Sequence, residues 1–425
     1  MWSPRPAALV YRMSRNFGRR FLLSKAFALE NEWSSRHSEL TKLGLGGDYE
    51  WIGAVQKKFV GGSAASAIDV DAAVCIAEQK DQVDDVIDLI YKLRHSENAA
   101  DLPPSAEYAL VRLLLRYDPS FLFKLANDPI NYGVFMNEHA ACLAIDHFIN
   151  AEDFGGAARL SAWVMQQEMT ENELLNLLAL YSCAKWAELP PEKQIMPFET
   201  TEEEDVNDDD VKTFKFPYLK NAYFDSHFDL TDPHQLAGKT LLWVARDSKC
   251  LPDPLRESLR FLGAVLYQRF DLASSLASAS IHSGAAGVVR QLFTPKEGEE
   301  RTEMQEQILE KLSGCAASEE TLSSAVHAIL EKILEKEEET LAKKQAEEFR
   351  SWHKRRQDLI SAQADRLLLK IRAEEVAKEL ANLEHETEKL TFFDNRLKWE
   401  KKAAQNAEII QQTSESRSEE ATSQK

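Results

Sequence analysis

The chain has 425 residues, 51 of them Lys or Arg and 70 of them Asp or Glu, for a formal net charge of −19. A protein this acidic is not drawn to nucleic acid by its overall field, so any RNA contact must come from a local basic patch or from a site organised by partner proteins. No apolar stretch reaches membrane-spanning length, and the cysteines (Cys75, Cys142, Cys183, Cys250, Cys315) include no Cys-x-x-Cys pair and no His at ligand spacing, which removes the signatures of structural zinc and of a disulfide framework.

Residues 1–29 carry Arg5, Arg12, Arg15, Arg19, Arg20 and Lys25, with no acid before Glu30. Leu9, Val10, Phe17, Phe21, Leu22 and Leu23 are interleaved with those charges. An Arg-rich, acid-free, amphipathic start is the pattern of a mitochondrial transit peptide, assigned here to residues 1–25, with cleavage at a bond somewhere beyond Arg20 that the sequence does not fix. It implies the mitochondrial matrix as destination. Without residues 1–29 the remainder stands near −25.

Residues 26–198 read as helical hairpins. Ala141, Leu143, Ala144, Ile145, Phe148 and Ile149 mark one helix, and Phe154, Ala157, Leu160 and Val164 the next. An earlier hairpin over 66–93 has Val83, Val86, Leu89 and Leu93 in the matching places, each 71 positions before its counterpart. That offset is two periods of a hairpin repeat, and stacked hairpins bury their apolar faces on one another. Ala106–Arg116 with Pro119–Asn127 supplies a third hairpin, and Glu173–Trp186 begins a fourth.

The rest of the chain divides by composition. An acidic run over 199–213 (Glu202, Glu203, Glu204, Asp205, Asp208, Asp209, Asp210) repels itself and is expected to be disordered. Residues 214–293 hold further helical hairpins, and 294–321 a linker with a short helix. Residues 322–411 form one long charged helix in which Leu369, Val376, Leu383, Leu390 and Leu397 recur every seven positions, a coiled-coil pattern. Residues 412–425 are a polar tail expected to be disordered. The fold class is all-α: a helical-hairpin solenoid followed by a long C-terminal helix.

Catalytic motifs fail on inspection. Ala237-Gly238-Lys239-Thr240 has the end of a phosphate-binding loop, but Pro233 stands where its first glycine belongs and no strand precedes it. Gly44, Gly46 and Gly47 lack a preceding strand too. His227 and His234 with Asp225, Asp229 and Asp232 fit no metal spacing. The chain is therefore expected to have no catalytic residues, no cofactor and no metal.

One basic region stands out. Between Lys343 and Arg372, nine cations (Lys343, Lys344, Arg350, Lys354, Arg355, Arg356, Arg366, Lys370 and Arg372) face four acids. Phe349, Trp352 and His353 lie among them, and aromatic rings next to cations suit exposed bases and phosphates. Lys343, Lys344, Arg350, Trp352, Lys354, Arg355, Arg356, Lys370 and Arg372 are the candidate RNA contacts. The competing reading is the solvated face of a long helix.

The run Arg20-Phe21-Leu22-Leu23-Ser24-Lys25-Ala26-Phe27 with Trp33 resembles the start of the pentatricopeptide-containing small-subunit proteins of the mitochondrial ribosome, number twenty-seven of that series. Tyr91-Lys92-Leu93-Arg94-His95-Ser96, Leu115-Arg116-Tyr117-Asp118, Tyr132-Gly133-Val134-Phe135, Ile145-Asp146-His147-Phe148-Ile149 and Met165-Gln166-Gln167-Glu168 extend the similarity over most of residues 20–290. The resemblance implies pentatricopeptide-like hairpins and two kinds of partner, mitochondrial ribosomal RNA and neighbouring small-subunit proteins. It implies neither a small-molecule substrate nor membrane insertion. It also puts Asp71 and Cys142 at the positions that read bases in such repeats. A thiol reads bases poorly, which disfavours sequence-specific readout and favours protein docking or shape recognition. Two alternatives remain at this point: a free pentatricopeptide factor acting on mitochondrial transcripts, and a coiled-coil scaffold.

Overall fold

The computed structural model describes residues 22–45, 49–60, 65–197, 226–278, 280–294, 301–314 and 320–423. Most of the proposed transit peptide, the acidic run, the core of the linker after Thr294, Gly46, Gly47, Asp225 and Cys315 lie outside them. Among the described residues every regular element is a helix. No helix among them is long and apolar enough to cross a membrane.

Three short helices, α1 (Glu30–Ser34), α2 (Arg36–Lys42) and α3 (Tyr49–Val60), precede five hairpins. These are α4 (Ala67–Ile76) with α5 (Val83–Arg94), α6 (Pro104–Tyr117) with α7 (Phe121–Asn127) and α8 (Pro129–Tyr132), α9 (Glu138–Asn150) with α10 (Phe154–Gln166), α11 (Glu173–Ala187) with α12 (Pro233–Asp247), and α13 (Asp253–Leu266) with α14 (Phe270–Leu276). Then α15 (Ser283–Leu292) lies on α13, and α16 (Glu303–Leu312) on α14. The first helices α4, α6, α9 and α11 pack in series, as do the second helices α7, α10 and α12. This is a hairpin solenoid, in which each unit buries its apolar stripe on its neighbours.

The offset read from the sequence is kept in space. α10 begins 71 positions after α5, and α9 begins 71 positions after α4. Val86, Leu89, Ala157 and Leu160 are fully buried, with Val83, Leu93 and Val164 nearly so. Phe154 is the exception: it is half-buried, with the Lys185 ammonium 5.9 Å from its ring.

Side-chain caps set the turns. Asn137, Asp153, Asn172 and Asp232 each accept a hydrogen bond from the backbone N–H three residues on, which satisfies a donor the helix leaves orphaned. Helices α9, α10 and α13 end the same way, on Glu152, Glu168 and Gln268 at positive φ. Asp153, Met169 and Arg269 then donate back to Phe148, Val164 and Ala264. A hairpin thus closes within a few residues without glycine.

Gly238 of the Ala-Gly-Lys-Thr run sits where α12 crosses α13, facing Gly263. A Cβ at 238 would lie 2.5 Å from the Tyr267 nitrogen and 2.8 Å from the Gly263 oxygen. The glycine is there for close helix packing, and this is the physical content of the phosphate-loop lookalike.

Two compact units result, residues 1–356 and 357–425. The helix α17 (Leu322–Leu390) supplies the last element of the first unit and the beginning of the second. α18 (Phe392–Ser423) follows. The element expected as one helix over 322–411 is therefore two, joined through Thr391. The backbone is helical to Ser423, where composition pointed to disorder from 412. Thr391 donates to Thr387 and accepts from Asn395, so the hydrogen-bond ladder carries through the junction.

Candidate functional site

Within the first unit, residues 322–356 of α17 run along the first helices of the hairpins in reverse chain order. Leu322, Ser323, Val326, Leu330, Glu338, Leu341, Gln345, Trp352 and Arg356 are buried, and after the adjacent first two they recur at steps of three, four, seven or eight that keep them on one helical face. Each stretch meets a different hairpin. At the start, Glu188 after α11 accepts from the Ser323 backbone N–H at 2.8 Å and from its hydroxyl. A carboxylate at a helix N-terminus satisfies an orphan donor and the positive end of the dipole together. His327 then packs on Tyr181 of α11, with ring centroids 5.5 Å apart.

Further along, Lys344 pairs with Glu138 at 2.7 Å and Gln345 accepts from Asn137 at 2.9 Å, both at the start of α9. Glu138 raises the pKa of Lys344, against the opposing effect of burial. Phe349 and Trp352 then close an aromatic cluster with Tyr108 of α6 and Trp33 of α1. Its centroid separations run from 5.1 to 5.5 Å.

The run ends at α4. Arg356 donates from Nε to Asp71 Oδ2 at 2.6 Å and from a terminal nitrogen to Cys75 Sγ at 3.1 Å. Asp71 also accepts from Ser105 and from the Cys75 thiol. Burial disfavours the Arg356 charge, but the side chains of Cys75 and Asp71 beside it outweigh that and hold its pKa above the ordinary value, with the Asp71 carboxylate as its ion-pair partner. Burial and Asp71 push the Cys75 thiol up to about 12. Cys75 is therefore uncharged at neutral pH, and Asp71 is the anion that holds Arg356.

The segment before α1 is packed in the same place. Ser24 donates from its backbone nitrogen to Glu338 at 2.9 Å, and Leu23 donates to Asp146 at 3.4 Å. Phe27 stacks on His139 at 4.4 Å, and its carbonyl lies 2.8 Å from His139 Nε2. Tyr108 OH is 3.1 Å from His139 Nδ1. Burial lowers the His139 pKa to about 4, so the ring is neutral, donating at Nε2 and accepting from Tyr108 at Nδ1. Arg112 donates to the Ala28 carbonyl at 2.6 Å. Arg36 donates to the Cys75 carbonyl and pairs with Glu78, its guanidinium 4.4 Å from the Trp33 ring.

The structure places the residues singled out in the sequence as follows. Asp71 and Cys142, the base-reading positions, are fully buried. Burial first, then Glu138 and Asp146, hold the Cys142 thiol well above its usual range. Trp352 and Arg356 are buried, packed on Tyr108 and paired with Asp71. Lys344 is committed to Glu138, and Lys343 pairs with Glu339 one turn back. Arg350, Lys354 and Arg355 remain on the exposed side of α17, and none is in an ion pair among the described residues. Lys370 and Arg372 are exposed in the second unit.

His227 is buried against Phe228 and Trp243, and His234 lies beside Trp186. No group of metal-ligating side chains occurs among the described residues. Cys75, Cys142 and Cys183 are buried free thiols, whereas Cys250 is exposed. A cleft of about 740 Å³ is lined by Trp33, Arg36, Glu78, Arg112, Arg116 and His147, but Arg36 and Arg112 are already paired with Glu78 and Glu30.

The residues that anchor this arrangement, Glu188, His139, Asp146, Arg36 and Arg112, carried no mark in the sequence. Their partners lie 39 to 135 positions away. Compared with known protein families, the chain matches the model described as mitochondrial 28S ribosomal protein S27 over residues 3–382.

Proposed function

Given that the chain belongs to the mitochondrial 28S ribosomal protein S27 family, and is thus a small-subunit protein of the mitochondrial ribosome, we propose that it acts there as a non-enzymatic scaffold in the matrix. In this reading its hairpin solenoid docks against neighbouring proteins and does not read an RNA sequence. The observation that carries the reading is the filled face of the first helices. The positions that would read bases in a pentatricopeptide array, Asp71 and Cys142, are buried, and Asp71 is held by Arg356 of the chain's own helix. A free transcript-binding factor would need that face open.

Ribosomal RNA contact in the first unit falls to Arg350, Lys354 and Arg355, whose exposed guanidinium and ammonium groups can neutralise phosphates without reading bases. Lys370 and Arg372 are further candidates in the second unit. The leader reading fits best with processing before Leu22, since Leu23 and Phe27 are buried and removing them would take away the Phe27 stack on His139 and the Leu23 hydrogen bond to Asp146.

Sedimentation of the tagged protein from detergent-lysed mitochondria tests the scaffold reading. Co-migration with the small subunit and with whole ribosomes, persisting at raised salt, is the expected result. A slow-sedimenting pool free of ribosomes as the main species would transfer the assignment to the transcript-binding factor.

A further inference from the structure

The second unit presents an apolar seam that no described residue of that unit covers. On α17 the seam runs Ala373, Val376, Leu380, Leu383, Leu390, and its four large members are between 49% and 85% exposed. From Ala373 to Leu383 these residues keep the alternating three- and four-residue spacing of a coiled-coil core, and Thr387 takes the next core position before Leu390. Between Ala373 and Leu390 the charge flanking that seam has one sign, whereas Lys370 and Arg372 flank it one turn earlier, beside Leu369. Glu379, Glu384 and Glu386 stand on its two flanks, all exposed, and no cation flanks it between Ala373 and Leu390. Lys378, His385 and Lys389 lie on the far side of the helix, about 150 to 190° away around the axis at 100° per residue.

This pattern excludes two occupants by electrostatics. RNA would bring phosphates against Glu379, Glu384 and Glu386. A second copy of this helix would bring acid against acid: in a parallel pair Glu379 faces Glu384 of the other copy, and an antiparallel pair also matches acidic flank with acidic flank. Like-charge flanks are what coiled coils use to refuse self-pairing. What the seam fits is a helix with the same apolar spacing and Lys or Arg on both flanks.

We propose that the face of α17 centred on Val376, Leu380 and Leu383 is a docking surface for a basic-flanked amphipathic helix of a neighbouring protein. Covering the seam removes apolar surface from water. The flanking glutamates, weak alone at an exposed site, set orientation and partner choice. The proposal rests on the charges and spacing of this helix and does not depend on any RNA contact by the chain.

Two measurements on the full chain test it. In the first, fluorescence anisotropy compares two synthetic helical peptides of about four heptads that share one Leu seam, one with Lys and one with Glu at the flanking positions. The Lys-flanked peptide is expected to bind at least about tenfold tighter. Val376→Glu with Leu383→Glu is expected to abolish its binding and leave the melting of the protein unchanged. Equal binding of the two peptides, or no loss in the double variant, overturns the proposal. In the second, a photo-reactive benzoylphenylalanine replaces Leu383 in purified mitochondrial small subunits. A cross-link to a protein segment with a Lys- or Arg-flanked apolar helix supports the docking surface. A ribonuclease-sensitive product, a cross-linked dimer of this chain, or no product overturns it. Absence of the chain from small subunits would sink the scaffold reading instead, while the peptide comparison would still decide this one.

Discussion

Arg356 and Asp71, 285 positions apart in the chain, form a buried ion pair at 2.6 Å that ties α17 to the first hairpin. The two side chains are 4% and 0% exposed. Pairing at that depth matters chiefly for what happens when one partner is lost, because an unpaired buried charge costs far more than the pair contributes. The same pair fills the position from which a pentatricopeptide array would read a base, so a structural bond stands where a ligand contact was expected.

Arg356→Met is expected to destabilise the protein by about 3–5 kcal/mol, and adding Asp71→Leu should recover most of that loss. Urea unfolding of the full chain gives the numbers, and hydrogen exchange over residues 345–356 reports the loosening locally. A single variant within about 0.5 kcal/mol of the parent, the level of a surface pair, would mean the clamp is not closed in solution.

The His139 contact makes the N-terminal segment acid-sensitive. The folded pKa is lowered to about 4 from an ordinary value of 6.5. The unfolded chain therefore binds the proton more readily, and the neutral ring's contribution to stability is fully present above pH 6.5 and is lost as pH falls through 4. Exchange at Phe27 and Ala28 should accelerate across that window in the parent, and His139→Gln should remove the dependence. An unchanged pH profile in the variant would assign it to another group.

Gly238→Ala places a methyl group against backbone atoms of α13 that cannot rotate away. A loss of about 1–3 kcal/mol is expected from overpacking. Gly287→Ala is the contrast: nothing lies within 4 Å of the added Cβ, so it should stabilise α15 by about 0.5–1 kcal/mol through helix propensity. A rise in the melting temperature of Gly238→Ala, or a fall in that of Gly287→Ala, would contradict the respective assignment.

Reversing Arg350, Lys354 and Arg355 to Glu should weaken binding to a mitochondrial small-subunit ribosomal RNA transcript and flatten its salt dependence, with the melting temperature unchanged. An unaltered salt slope would remove this face of α17 from the RNA contacts. Arg356 does not belong in that set, since reversing it breaks the core.

The hairpins were legible because a helix declares itself locally. The apolar stripe of α5 is set by residues three and four apart, and its 71-residue echo in α10 needs no knowledge of the fold. Caps such as Asn137 and Asp153 act on backbone atoms three positions away, so the turn chemistry is local too. The heptad leucines of α17 were legible for the same reason.

Which side chains face water along residues 322–356 was not legible. Arg350, Arg355 and Arg356 are the same residue type within seven positions, and only the packing of α17 on α4 makes Arg356 a core ion pair while the other two stay exposed. In a helix this charged, the apolar signal that would orient it is sparse, and Trp352 beside cations reads equally as a base platform or a core anchor. The sequence by itself determined the helices, their period and the family. Tertiary structure decided that the first-helix face is filled from within, because the partners that fill it, Glu188 with Ser323, Glu138 with Lys344 and Asp71 with Arg356, meet across 135 to 285 residues, a distance over which no local propensity acts.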